Sequence, residues 1–182
     1  MTQLLEPDPR YPVGRFDPAA EVPHAARGAL IDVIAELPAL LRTEVAALNE
    51  RVLETPYRDG GWTIRQVVHH LPDSHMNAFT RFRLALTEDW PTIKPYDEAA
   101  WSQLVDSRTA PLEPSLAILD GLHDRWVRLL RAMDAEDYEA RGVVHPEWKS
   151  RLSNGTLLRL YAWHSRHHLA HVRQAKAIAG VV

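Results

Sequence analysis

From Pro23 onward the chain repeats apolar residues every three or four positions, the spacing that places them on one face of a helix. The stretch HAARGALIDVIAELPALLRTEVAALNERV carries this pattern with Pro38 inside it, and reads as one long kinked helix or two shorter ones. YRDGG ends it. Thr63 followed three residues later by Gln66 has the form of a capping box, and predicts a second helix through IRQVVHHL to about Thr87. Pro72 removes one backbone hydrogen bond there, which predicts a bend immediately after His70. A third helix is expected over 115–133. The fourth runs from about Thr156 to Ala179, with Ser153 or Asn154 as its cap.

Between these segments the pattern fails in informative places. Prolines at 7, 9, 12, 18 and 23 forbid a regular helix and predict an extended arm over residues 1–23. Residues 88–114 hold four prolines and predict a long ordered connection, with a short helix at 97–105. VVHPEWKSRLSNG has turn residues suited to a small hairpin. The expectation is one all-α domain spanning 1–182, a four-helix bundle with a long crossover connection.

Composition narrows the chemistry. The 21 basic and 24 acidic side chains give a formal charge of −3, with no broad electrostatic footprint for nucleic acid or an anionic membrane. Absence of cysteine excludes disulfides, thiolate metal sites and cysteine nucleophiles. The N-terminal residues lack the basic start and apolar run of a signal peptide, and no segment has membrane-spanning length, so a cytoplasmic protein acting on a small molecule is expected.

The ten histidines change the picture. In WHSRHHLAH, residues 163–171, a turn of about 100° per residue puts His164, His168 and His171 within an arc of about 60°. Leu157, Leu160, Tyr161, Ala175 and Ile178 share that face, so the imidazoles point into the bundle. Arg159, Arg166 and Arg173 fall opposite, as a solvated stripe, and His167 lies to one side in a supporting place. Burying several imidazoles costs desolvation unless each finds a partner, and one divalent metal serves several neutral nitrogens together. The i, i+4 pair His164 and His168 suits a shared ion.

The third ligand must come from another segment, and His70 in VVHHLPDSH leads. His69 is rotated away by about 100° in a regular helix. His75 is expected to be structural or exposed, and nothing in the sequence distinguishes His24, His123 or His145. A thermolysin-like site is excluded because Ser165 follows His164 where glutamate is needed. A ferritin-like di-iron site is excluded because no acid follows Glu147. What remains is one divalent ion on three histidines with an open position, zinc or nickel being the ions that imidazole suits.

The segments YPVGRF, PYRDGGWTIRQVVHHLPDSHMNAFTRFRLALTED, PYDEAAW and LYAWHSRHHLAHV together resemble the YfiT branch of the DinB/YfiT superfamily. The resemblance spans nearly the whole chain. It implies a four-helix bundle of unusual helix order, a homodimer, and a metal held by His70, His164 and His168, the same three residues. It also implies either a metal-dependent hydrolase or an S-transferase joining a low-molecular-weight thiol such as bacillithiol to an electrophile. Pro72 departs from the small helix-compatible residue expected of the family at that place.

Of these activities the thiol S-transferase is the first expectation, metal-activated water hydrolysis the second, and a non-catalytic metal-binding bundle the third. The open coordination position argues against the last, because structural zinc sites are generally closed by four protein ligands. Asp73 is the candidate for orienting a ligand histidine or moving a proton. Asn77, Tyr96 and His171 are candidates for the pocket wall, with Tyr96 and Trp101 placed in a connection suited to recognition.

Overall fold

A computed structural model of the chain describes residues 8–20 and 23–181. The part of the expected N-terminal arm over 1–7 and 21–22 lies outside them. Four long helices dominate: α1 (Arg27–Val45), α3 (Ile64–Thr87), α6 (Glu113–Ala132) and α8 (Asn154–Ile178). Short helices fill the connections: α2 (Glu50–Leu53), α4 (Glu98–Trp101), α5 (Val105–Thr109) and α7 (Ala135–Glu139). The strands β1 (Gly142–His145) and β2 (Ser150–Ser153) form an antiparallel hairpin that pairs Gly142 with Ser153 and His145 with Ser150.

Local chemistry accounts for the boundaries. Thr63 accepts from the Gln66 backbone while Gln66 reaches back to the Thr63 N–H, so α3 starts in a complete capping box. The Ser153 hydroxyl accepts from the Thr156 N–H and starts α8. The expected break at Pro38 falls elsewhere. Helix α1 runs through that buried proline to Val45, and the interruption comes just before α2, which Asn49 caps. Helix α3 likewise continues through Pro72. In the 88–114 connection the helical pieces are α4 and α5, and Ile93 and Val144 exchange backbone bonds with the hairpin and the Pro91 carbonyl.

Helix order decides what meets what. Helix α1 packs on α6 and α8, and α3 packs on the same two, so the circuit around the bundle runs α1, α6, α3, α8. Helices successive in sequence, α1 with α3 and α6 with α8, therefore sit on diagonals. His69 with Ser115 and His75 with His123 show that α3 and α6 run parallel, which the long 88–112 crossover makes feasible. Arg81 with Tyr161 and His75 with His164 show that α3 and α8 run antiparallel.

The apolar core is in two parts. One surrounds Ile34, Phe82, Trp126 and Leu158, and the other Leu41, Val67, Leu119 and Val172. Between them, at the middle of α3, α6 and α8, lies a layer of buried histidines. The described arm residues lie along α8, where the Trp163 indole donates to the Gly14 carbonyl at 2.9 Å. That arm alters the expected arginine stripe: Arg166 and Arg173 are exposed, but Arg159 is half-buried over the Phe16 ring and donates to the Asp17 carbonyl. Ile178, expected inside, is 58% exposed because α8 outruns the core at its end. Among the described residues no helix is long and apolar enough to cross a membrane.

Candidate metal centre

The antiparallel packing of α3 on α8 brings His70 against His164 and His168, with one nitrogen of each ring within 4.8 Å of the others. The Nε2 atoms of His70 and His164 are 3.3 Å apart. Metal–nitrogen bonds of about 2.0–2.1 Å in a tetrahedron place two ligand nitrogens about 3.3–3.4 Å apart, so the spacing fits a shared ion. Burial, with neighbouring histidines adding to it, pushes His70 down to about 4 and His164 and His168 well below the ordinary histidine value. All three are therefore neutral near pH 7, the form that binds metal. His69 points away as expected, its ring nitrogens meeting Ser115 Oγ at 2.7 Å and the Ala110 carbonyl at 3.2 Å.

Behind His164 a hydrogen-bond chain crosses all four long helices. His164 Nδ1 is 3.1 Å from His75 Nε2, His75 Nδ1 is 2.8 Å from His123 Nε2, and His123 Nδ1 is 2.7 Å from the Ile34 carbonyl. A carbonyl only accepts, so neutral His123 carries its proton on Nδ1 and accepts on Nε2. The same reasoning gives His75 and then His164 an Nδ1 proton. His164 Nε2 is left with its lone pair free of a proton, 3.3 Å from His70 Nε2 and 3.4 Å from the Ser74 hydroxyl. A proton carried by His70 Nε2, or a cation shared by the two rings, satisfies that lone pair. Sequence reasoning expected His75 to be structural or exposed and left His123 undistinguished; both are buried in this chain, which depends on helix adjacency rather than on spacing within one segment.

His167, His168 and His171 form a second all-histidine cluster within 4.8 Å on α8 alone. It shares His168, and a neutral imidazole has one lone pair, so His168 cannot serve both clusters. His171 Nδ1 lies 3.5 Å from His168 Nδ1, and its ring stacks on Tyr57 at 3.8 Å. His167 stacks on Trp163 at 4.4 Å. Among the described residues His167 Nδ1 and His171 Nε2 are buried without a hydrogen-bond partner. Burial lowers His167 to about 3 and His171 to about 4.

A cavity of about 380 Å³ opens in front of His70, His164 and His168. One wall is the loop from Tyr57 to Trp62, where a Tyr57 N–H bond to the Trp62 carbonyl at 3.1 Å closes a tight turn. Gly60 sits in that turn at φ +62°, which glycine adopts without strain. Trp62 packs on the rings of His70 and His168. Ser74 and Tyr96 form a second wall, and the far end is built by Arg81, His145 and Trp148. The hairpin thus brings His145, unassigned from the sequence, into the cavity.

The remaining candidates divide. Tyr96 and His171 line the cavity. Asn77 does not; its amide donates to the Asp73 carbonyl at 2.8 Å. Asp73 is absent from the cavity wall and makes no side-chain hydrogen bond to His70, His164 or His168 among the described residues. Burial and the neighbouring Asp106 raise its carboxyl to about 6. The orienting contact expected of Asp73 is made at His164 by another imidazole, His75, while Asp73 sits about 60° from His70 and about 100° from Ser74 around α3.

The model of the DinB superfamily matches residues 33–172. YfiT of Bacillus subtilis, provisionally named a metal-dependent hydrolase, is 48% identical over 164 residues, 90% of this chain and 92% of its own length. Proteins of Oceanobacillus iheyensis and Geobacillus thermodenitrificans with the same provisional name are 48% and 46% identical, covering 90% and 94% of this chain and 93% and 96% of their own. The solved structure of B. subtilis YfiT, described as a four-helix bundle of unusual topology, superposes with a TM-score of 0.91 at 46% identity, over 96% of this chain and 99% of that one. With this bundle order and near full-length similarity, the chain belongs to the DinB superfamily, on its YfiT branch.

Proposed function

We propose that the chain holds one divalent metal ion, zinc or nickel, on His70, His164 and His168 and acts as a metal-dependent enzyme on a small molecule. The observation that carries this reading is the unprotonated Nε2 of His164, left by the chain to Ile34 and facing His70 Nε2 at 3.3 Å beside a cavity. A bound ion would supply Lewis-acid stabilisation of an anionic nucleophile at neutral pH.

Thiol S-transfer is the reaction we favour. Among the described residues both clusters contain histidines alone, and the cavity's two carboxylates, Glu98 and Glu147, are exposed to solvent, so no carboxylate stands among the ligand atoms as a ready base for water. A thiol, with an ordinary pKa of about 8.5, has less need of one. The chain has no cysteine, so the thiol comes as a low-molecular-weight cosubstrate such as bacillithiol. In the transfer, the sulfur–carbon bond forms as the bond from carbon to the leaving group breaks. The electron pair departs with that group, and the thiol proton passes to solvent. Trp62 and Tyr96 put aromatic surface on the cavity wall beside the three histidines.

Hydrolysis is the second reading, and the names of the relatives favour it. The test loads the purified protein with zinc or nickel, counts metal per chain, and offers a thiol with a simple electrophile beside an ester and an amide. Thiol-dependent conjugation supports transfer. Ester or amide cleavage without thiol moves the assignment to hydrolysis, and failure to take up metal overturns both.

A further inference from the structure

We infer that the end of the cavity remote from the three histidines is a binding site for an anionic group of the substrate, with Arg81, Tyr161 and His145 as its donors. This deepens the proposed function and rests on the same cavity being the substrate site.

Arg81 is half-buried on α3 and is the one arginine or lysine on the cavity wall among the described residues. Its Nη1 donates to the Tyr161 hydroxyl at 2.9 Å, and among the described residues no carboxylate lies within 4 Å to neutralise it. Most other buried or half-buried arginines here have such a partner, as Arg65 does in Glu50 and Glu54. A guanidinium has five N–H donors, so most of those on Arg81 remain for a ligand.

The two neighbours add donors. Tyr161 is 3% exposed and its oxygen accepts from Arg81, so its own proton is directed elsewhere, with no acceptor among the described residues. His145 is 8% exposed. Its Nδ1 accepts the Trp148 N–H at 3.4 Å, which puts the proton of the neutral ring on Nε2. A cation, a hydroxyl and an imidazole N–H on one wall match a carboxylate, which only accepts. Glu98 and Glu147 also line the cavity, but both are exposed and solvated at its rim. Tyr161 lies one turn before His164 on α8, so a substrate held here extends its uncharged part toward the three histidines.

The test is a nitrogen-15 NMR titration of the zinc-loaded and the metal-free protein with succinate and with its neutral analogue succinamide. The expected result is a saturable shift of the Arg81 Nε–H resonance with succinate and none with succinamide, in both forms of the protein. Arg81→Gln weakens succinate at least about 10-fold, and Tyr161→Phe weakens it by less. No Arg81 shift with succinate, equal shifts with both compounds, or binding that needs the metal and survives in Arg81→Gln would each overturn the site. The wild-type titration decides the matter even if a variant does not fold. Failure of thiol conjugation leaves the titration result standing, so the two readings fail separately.

Discussion

His75 Nε2 lies 3.1 Å from His164 Nδ1, a contact between α3 and α8 that ends the chain begun at the Ile34 carbonyl. It orients His164 without any charge behind it. Metal-ligating histidines commonly donate their other N–H to a carboxylate or carbonyl, and here two further imidazoles stand between the ligand and the carbonyl. The arrangement suits a layer that is buried between two apolar cores, where an unpaired carboxylate would be costly.

The ligand assignment predicts that replacing His70, His164 or His168 by alanine lowers metal occupancy at least tenfold, while His69→Ala leaves it unchanged. Elemental analysis after dialysis against a weak chelator checks this. Equal losses in all four variants would disprove the assignment.

The chain behind His164 predicts a specific set of tautomers. Nitrogen-15 NMR of the metal-free protein at pH 7 should show Nδ1–H for His75, His123 and His164. His123→Ala leaves His75 without its acceptor and should weaken metal binding about 10–100-fold, the usual effect of losing an outer partner. An Nε2–H tautomer at His123 would contradict the argument.

Acid should destabilise the metal-free fold through these rings. Burial lowers His123 from its ordinary 6.5 to about 4 in the folded protein. As pH falls the unfolded chain takes up the proton first, so stability drops from about pH 6.5 to about pH 4 and this contribution then levels off. The loss from His123 alone is roughly 3 kcal/mol. Urea unfolding at pH 7, 5.5 and 4 measures it, and a midpoint independent of pH would refute it.

Gly142 has a steric reason to be glycine. A Cβ there would lie 2.1 Å from the Leu152 carbonyl oxygen across the hairpin. Gly142→Ala should cost about 1–3 kcal/mol and displace the strand that carries His145. Thermal unfolding checks the first effect, and weaker succinate binding the second.

The capping box of α3 predicts that Thr63→Ala lowers stability by about 1 kcal/mol. Chemical denaturation of the two proteins side by side gives the difference, and no change would mean that tertiary packing alone defines the start of the helix.

Much of this was legible along the chain because it is local. The Thr63–Gln66 box, the Ser153 cap and the ends of α3, α6 and α8 follow from residues within a few positions of one another. Helical periodicity also put His164 and His168 on one inward face and turned His69 away from His70. Proline was a weaker guide. Pro38 and Pro72 are both buried within continuous helices, where packing outweighs the lost backbone bond.

By itself, then, the sequence determined the helices, their inward faces and the placing of His164 and His168 together on one of those faces, since period and capping act over one or two turns. Tertiary structure alone decided that α1 and α3 lie on a diagonal, that Ile34, His123, His75 and His164 join in one chain, and that Arg81 faces His145 at the end of the cavity. These depend on which helices are neighbours and on how a crossover of some 25 residues returns over the bundle. No periodicity within a segment encodes that choice, because it is made by how four apolar faces bury one another together.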